Sequence, residues 1–144
     1  MQHLLNILIW LPILGGAFVA FTGRDDKPNV ARYLSLFIVL LTLVLCIPLV
    51  RGFDTTIDTM QFLEEMVWMP ALGIQYSLGI DGLSLLLIVL TAFTNLIVIL
   101  ATWGSITKRV GQYLASFLIM QGLLVGVFSA LDAIVFYIFW EATL

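Results

Sequence analysis

Four stretches of the chain, 4–22, 33–51, 82–103 and 113–131, are nearly unbroken runs of apolar residues. Each has about the length that a transmembrane helix needs, roughly 20 residues for a ~30 Å hydrocarbon core. A fifth apolar run opens at Ala133 and continues to Leu144. The fourth and fifth runs are not one helix, because 113–144 as a single helix would extend roughly 48 Å. The sequence S-A-L-D at 129–132 supplies the break, with Ser129 and Asp132 suited to a turn and a helix N-cap. The pattern predicts an all-α polytopic membrane protein, a bundle of transmembrane helices forming one domain over 1–144, with the fifth helix cut short.

The polar gaps between the runs carry the orientation signal. G-R-D-D-K-P-N separates the first two runs, and Pro28 stops any continuous helix there. G-S-I-T-K-R-V-G-Q separates the third and fourth. The gap over 52–81 is longer and acidic, with Asp54, Asp58, Glu64, Glu65 and Asp81. Its middle, F-L-E-E-M-V-W-M-P-A-L, reads as an interfacial segment, since Trp68 and Met69 suit the headgroup level. Arg24, Lys27 and Arg32 mark the first gap and Lys108 and Arg109 the third, whereas the second has only Arg51 at its edge. Cationic loops stay in the cytoplasm, so the acidic loop, Asp132 and the N-terminus are expected outside. The opening M-Q-H-L-L-N has no basic region and no cleavage site follows the first run, so no cleavable signal peptide is expected.

Composition agrees with the pattern: 62% of residues are hydrophobic and only 10% charged, and mean hydropathy is +1.13. Soluble domains carry about a quarter charged residues. The net charge of −3 argues against a nucleic-acid partner, for want of a cationic cluster to neutralise phosphates. A single cysteine, Cys46, cannot form an internal disulfide. Neither a glycine-rich nucleotide loop, nor paired histidines, nor a Cys/His metal cluster is present in the sequence. The chain is therefore expected to bind no cofactor or metal and to carry no electrons itself.

Glu141, in F-Y-I-F-W-E-A-T-L, is the residue that calls for chemistry. It lies nine residues beyond Asp132, roughly 13 Å deeper along a helix and close to the midplane. A carboxylate at that depth is costly and marks a functional site by default. No lysine or arginine of this chain lies at comparable depth, so a partner is expected from elsewhere. The chain stops three residues later, still inside the bilayer, as a fragment of a longer protein would. Asn95 and Gln121 also fall near mid-depth and form a possible polar layer; interhelical hydrogen bonding, worth about 0.6 kcal/mol on average, is the simpler role for both. Asp81 opens the third helix, where an acidic side chain caps free N–H groups, with ion entry as the alternative. Asp132 has the same pair of roles. Gly122, Gly126 and Ala130 recur every four residues, a small-residue stripe for close helix packing. His3 lies near a surface and carries no assigned role.

Two stretches, W-M-P-A-L-G-I-Q-Y-S-L-G-I-D-G-L-S-L at 68–85 and V-G-V-F-S-A-L-D-A-I-V-F-Y-I-F-W-E at 125–141, resemble the antiporter-like membrane subunits of proton-pumping NADH:quinone oxidoreductase, respiratory complex I, and within them the subunit M (chain 4) family. The order of spans is similar too. The resemblance implies the N-terminal part of an about fourteen-helix, all-α subunit built from inverted five-helix repeats. It implies a membrane-arm subunit of a translocase in which Glu141 pairs with a lysine of a later helix and takes part in proton transfer. Such a pair has coupled protonation states, so separating it raises the proton affinity of the carboxylate. NADH, FMN, iron–sulfur clusters and quinone would be bound by other subunits. The implied partners are the other membrane subunits, including sister antiporter-like ones, and the implied location is the bacterial cytoplasmic (inner) membrane. A multisubunit cation/proton antiporter and a membrane-bound hydrogenase carry similar subunits, and a purely structural membrane subunit is a further alternative.

Overall fold

A computed structural model describes residues 3–22 and 26–144. Met1 and Gln2 of the opening segment, and Gly23, Arg24 and Asp25 of the first cationic gap, lie outside the described residues. Among the described residues there are five α-helices: α1 (Leu4–Thr22), α2 (Pro28–Arg51), α3 (Gly82–Ala101), α4 (Val110–Ser129) and α5 (Ala133–Thr143). The first four are long and apolar enough to cross a membrane, and α5 is a shorter apolar helix. The chain is a multi-pass, predominantly helical membrane protein. Helix α2 starts at Pro28, earlier than the apolar run alone indicates, because proline suits the first helical turn: its missing N–H would have no partner there anyway.

The stretch read as an interfacial segment is a two-stranded antiparallel hairpin, β1 (Gln61–Met69) and β2 (Ile74–Ile80). Val67, Trp68, Ile74 and Tyr76 favour extended backbone, and a short 3-10 turn over Pro70–Leu72 reverses the chain. Gly73 completes the turn at φ 68°, a left-handed conformation that costs a glycine nothing. Pairing is interrupted between Gln61 and Glu64, where Phe62 takes φ 56°. Such a bulge re-aims the following side chains. In consequence Leu63 is exposed and Glu64 is turned into the protein.

The hairpin closes one end of the bundle. The Leu131 N–H donates to the Ser77 carbonyl at 2.9 Å, Leu78 bridges to Ala130, and Phe62 packs beside Gly52 at the end of α2. At the opposite end, Arg32 Nη2 donates to the Ile106 carbonyl at 2.8 Å. Tyr33 meets Trp103 edge-on with ring centroids 5.2 Å apart. Lys27, Arg32, Lys108 and Arg109 therefore gather at one end, away from the acidic residues of the hairpin end.

Helix α4 is the axis of the bundle, and its small residues face different neighbours. A methyl group on Gly122 would collide with the Ile9 carbonyl oxygen and stand 2.5 Å from Ile13 Cγ1, so α1 runs backbone-close to α4. On Gly16 it would stand 2.9 Å from the Ala115 carbonyl oxygen, the same crossing seen from α1. Gly126 instead receives the ring of Phe139 from α5. Ala130 lies beyond the helix, in the bridge to the hairpin. The stripe thus serves two helices and a strand. Overpacking a fixed backbone crossing costs about 1–3 kcal/mol. Gly122→Ala is expected to lower the thermal unfolding midpoint of the full-length protein in nanodiscs, whereas Gly104→Ala, at a site with nothing within 4 Å, is expected to leave it unchanged.

Candidate functional site

Acidic residues of the hairpin end act on helix N-termini. Asp81 precedes α3 and accepts from the Ser84 N–H at 2.8 Å. That backbone N–H holds the Asp81 carboxyl below its ordinary value, with the Ser84 hydroxyl reinforcing it. Asp132 precedes α5 and accepts from the N–H groups of Ile134 at 2.9 Å and Val135 at 3.4 Å. Its other oxygen accepts from the Gln75 N–H of β2 at 3.4 Å.

Glu64 does the same for α1 from a distant part of the chain. Its two oxygens accept from the Leu5 N–H at 3.1 Å and the Asn6 N–H at 3.2 Å, groups that no helical carbonyl can reach. The side chain is only 7% exposed. Burial pushes its carboxyl above the ordinary value, a shift that the Asn6 and Leu5 N–H groups and the nearby His3 partly oppose. In the sequence Glu64 is one of five acids in the loop over 52–81. The available signal was the pair of β-prone runs around P-A-L-G, which marks a hairpin. The bulge that turns Glu64 inward leaves no such mark.

Asn95 and Gln121 are brought together between α3 and α4. Asn95 Nδ2 donates to Gln121 Oε1 and also to the Phe117 carbonyl, the latter at 3.4 Å. Both are buried, Gln121 at 1% exposure. They form an interhelical polar bridge near the middle of α4.

Glu141 is not brought to that bridge. On α5 the buried residues are Val135 and Phe139, and Phe139 packs on Gly126 of α4. Two residues further on, Glu141 is turned about 200° away from Phe139 and is exposed, on the same side as Tyr137 and Leu144. Its carboxylate makes no hydrogen bond or ion pair with a described residue. Phe136 and Trp140 stack beside it, with ring centroids 6.1 Å apart and planes 14° from parallel. A cavity of about 650 Å³ between α1, the hairpin and α5, lined by Trp10, Trp68, Tyr76 and Phe139 among others, does not include Glu141. Among the described residues no group of three His, Cys, Asp or Glu side chains is placed to hold a metal ion.

Glu64 gives a pH-dependent expectation with a definite sign. Its folded value is raised, so its contribution to stability is full below the ordinary carboxylate value and declines as pH rises through the folded one. The unfolding midpoint of wild type relative to Glu64→Gln is therefore expected to fall between pH 4 and pH 8. Glu64→Ala removes both acceptors and is expected to cost about 1–3 kcal/mol at the acid end of that range and less as pH rises. Thermal unfolding of the two variants across a pH series checks both.

Several known proteins are similar to this chain. NADH-quinone oxidoreductase subunit M of Rhodobacter capsulatus is 37% identical over 147 aligned positions, covering 100% of this chain and 28% of that protein. F(420)H(2) dehydrogenase subunit M of Methanosarcina mazei is 38% identical over 139 residues, covering 96% of this chain and 28% of that protein. Among solved structures, a chain of respiratory complex I from Thermus thermophilus with bound NADH matches with a TM-score of 0.77 at 27% identity, over 96% of this chain and 27% of that one. A chain of the membrane-bound sulfane sulfur reductase, an archaeal respiratory membrane complex, gives a TM-score of 0.73 at 18% identity, a likeness of fold alone. No family model matches. The chain spans just over a quarter of the length of the curated relatives it matches.

Proposed function

We propose, for a chain similar along its whole length to subunit M of the NADH-quinone oxidoreductases, a place in the membrane arm of such a complex and a part in moving protons across the membrane as electrons pass from NADH to quinone. One observation carries the reading. Glu141 is a carboxylate about 13 Å along α5 from its cap, on the face turned away from the other described helices and without a partner among them. In hydrocarbon such a group needs a counter-charge or a proton. A lysine outside this chain supplies the counter-charge when it is close, and Glu141 takes a proton when the lysine withdraws. The electron carriers, NADH, FMN, iron–sulfur clusters and quinone, belong to other subunits, and this chain contributes no redox group. The gathering of Lys27, Arg32, Lys108 and Arg109 at one end supports an orientation with that end in the cytoplasm and the hairpin and N-terminus outside a bacterial cytoplasmic membrane.

The Methanosarcina relative favours a second reading, in which the same subunit serves a complex fed by another electron donor. A membrane-bound hydrogenase would use it in the same way, and a multisubunit cation/proton antiporter would use it with no redox partner. Native membrane vesicles carrying the full-length protein separate these readings. In Glu141→Gln, NADH-driven proton uptake and NADH oxidation are expected to fall together, by roughly tenfold or more, while a native gel shows the complex assembled. Unchanged uptake in an assembled complex would sink the role of Glu141. Wild-type vesicles with no NADH-dependent uptake would move the second reading to first place.

A further inference from the structure

Helix α5 turns only two residues inward, Val135 in its first turn and Phe139 one turn later. Phe139 lies seven residues beyond the cap at Asp132, roughly 10 Å along the helix. It is 6% exposed, whereas Trp140, Glu141 and Ala142 after it are exposed. Phe139 is thus the last buried contact before Glu141. Its ring lies on Gly126 of α4. A methyl group there would stand 2.8 Å from Phe139 Cγ, 2.8 Å from Cδ1 and 2.9 Å from Cδ2. Three ring atoms at nearly one distance place that point over the face of the ring, so only a residue without a Cβ admits it. Restoring ordinary carbon–carbon contact, about 3.5–4.0 Å, would take a movement of roughly 1 Å. Rotation about χ2 gives no relief, because it leaves Cγ where it is. Either χ1 changes and the seat empties, or the helix itself moves.

We infer that Gly126 and Phe139 are positioning residues for Glu141: the ring seated on the glycine fixes where α5 holds that carboxylate. The inference rests on the reading of Glu141 as a proton-transfer group. Two residues of helix separate the ring from the carboxylate, too few to absorb a displacement, so a shift of the seat reaches Glu141 almost undiminished. Proton transfer needs its groups within hydrogen-bond reach. A misplacement of about 1 Å can cost about a hundredfold in rate.

The test uses the full-length protein in native membrane vesicles, with proton uptake normalised to the complex assembled on a native gel. Gly126→Ala overfills the seat and Phe139→Ala empties it. Each is expected to lower NADH-driven uptake by roughly tenfold or more. The double variant, Gly126→Ala with Phe139→Ala, is expected to pump better than either single one, because residues in contact are not additive. Gly15→Ala is the packing control: its methyl group would stand 2.6 Å from Ile38 Cδ1 of α2, away from α4 and α5. Its uptake per assembled complex is expected to be unchanged. A double variant no better than the single ones, or an equal loss in Gly15→Ala, would overturn the inference. A cryo-electron microscopy map of Gly126→Ala in lipid nanodiscs is expected to show Glu141 displaced by about 1 Å, and an unmoved Glu141 would also overturn it. That map judges the seat even where unchanged uptake in Glu141→Gln has removed the proton-transfer reading. Should Gly126→Ala not assemble, Phe139→Ala, which adds no bulk, supplies both the uptake and the map.

Discussion

The close crossing of α1 and α4 is the contact on which the rest of the bundle depends. Gly16 and Gly122 let the two backbones approach until the Ile9 carbonyl oxygen occupies the space of an absent side chain. In a bilayer, helices gain little from burying apolar surface against each other, since lipid is as apolar as leucine, so shape and backbone proximity supply the adhesion. With α1 fixed on one side, α4 offers its neighbouring faces to α3 through Gln121 and to α5 through Gly126. The polar bridge and the bearing of α5 both follow from the setting of this one helix.

The second constraint is the supply of hydrogen-bond partners at helix ends. Three helices begin at the hairpin end, and each has a carboxylate across its first turn: Glu64 for α1, Asp81 for α3 and Asp132 for α5. Two caps are local, and the third reaches across 59 positions of sequence. The remote one is also the most buried, so the hairpin is fastened to α1 by a group that cannot leave without exposing two N–H donors to an apolar surface.

Much of this fold was legible because the bilayer is a strict solvent. Apolar runs of membrane-crossing length, polar turns and the break at S-A-L-D leave few alternatives to a helical bundle. The apolar run alone leaves the start of α2 open, because Pro28, which stops a continuous helix, also suits a first turn. The hairpin was missed because alternation along β1 is broken at Phe62, which exposes Leu63 and buries Glu64, the reverse of a period-two expectation. Asn95 and Gln121 could be picked out as polar residues at depth, but that they meet is a property of helix rotation. The same holds for Glu141, whose depth follows from counting while its outward bearing follows from Phe139 seating on Gly126.

Asp132 holds two elements with one carboxylate, the first turn of α5 on one oxygen and the β2 backbone on the other. That double attachment acts with the seat of Phe139 on Gly126 to hold the compass bearing of α5. A cap that slipped by a single residue would swing every side chain on the helix by about 100°, carrying Glu141 from the open flank toward its neighbours. The azimuth of Glu141 is thus indexed by a hydrogen bond at the first turn of its helix.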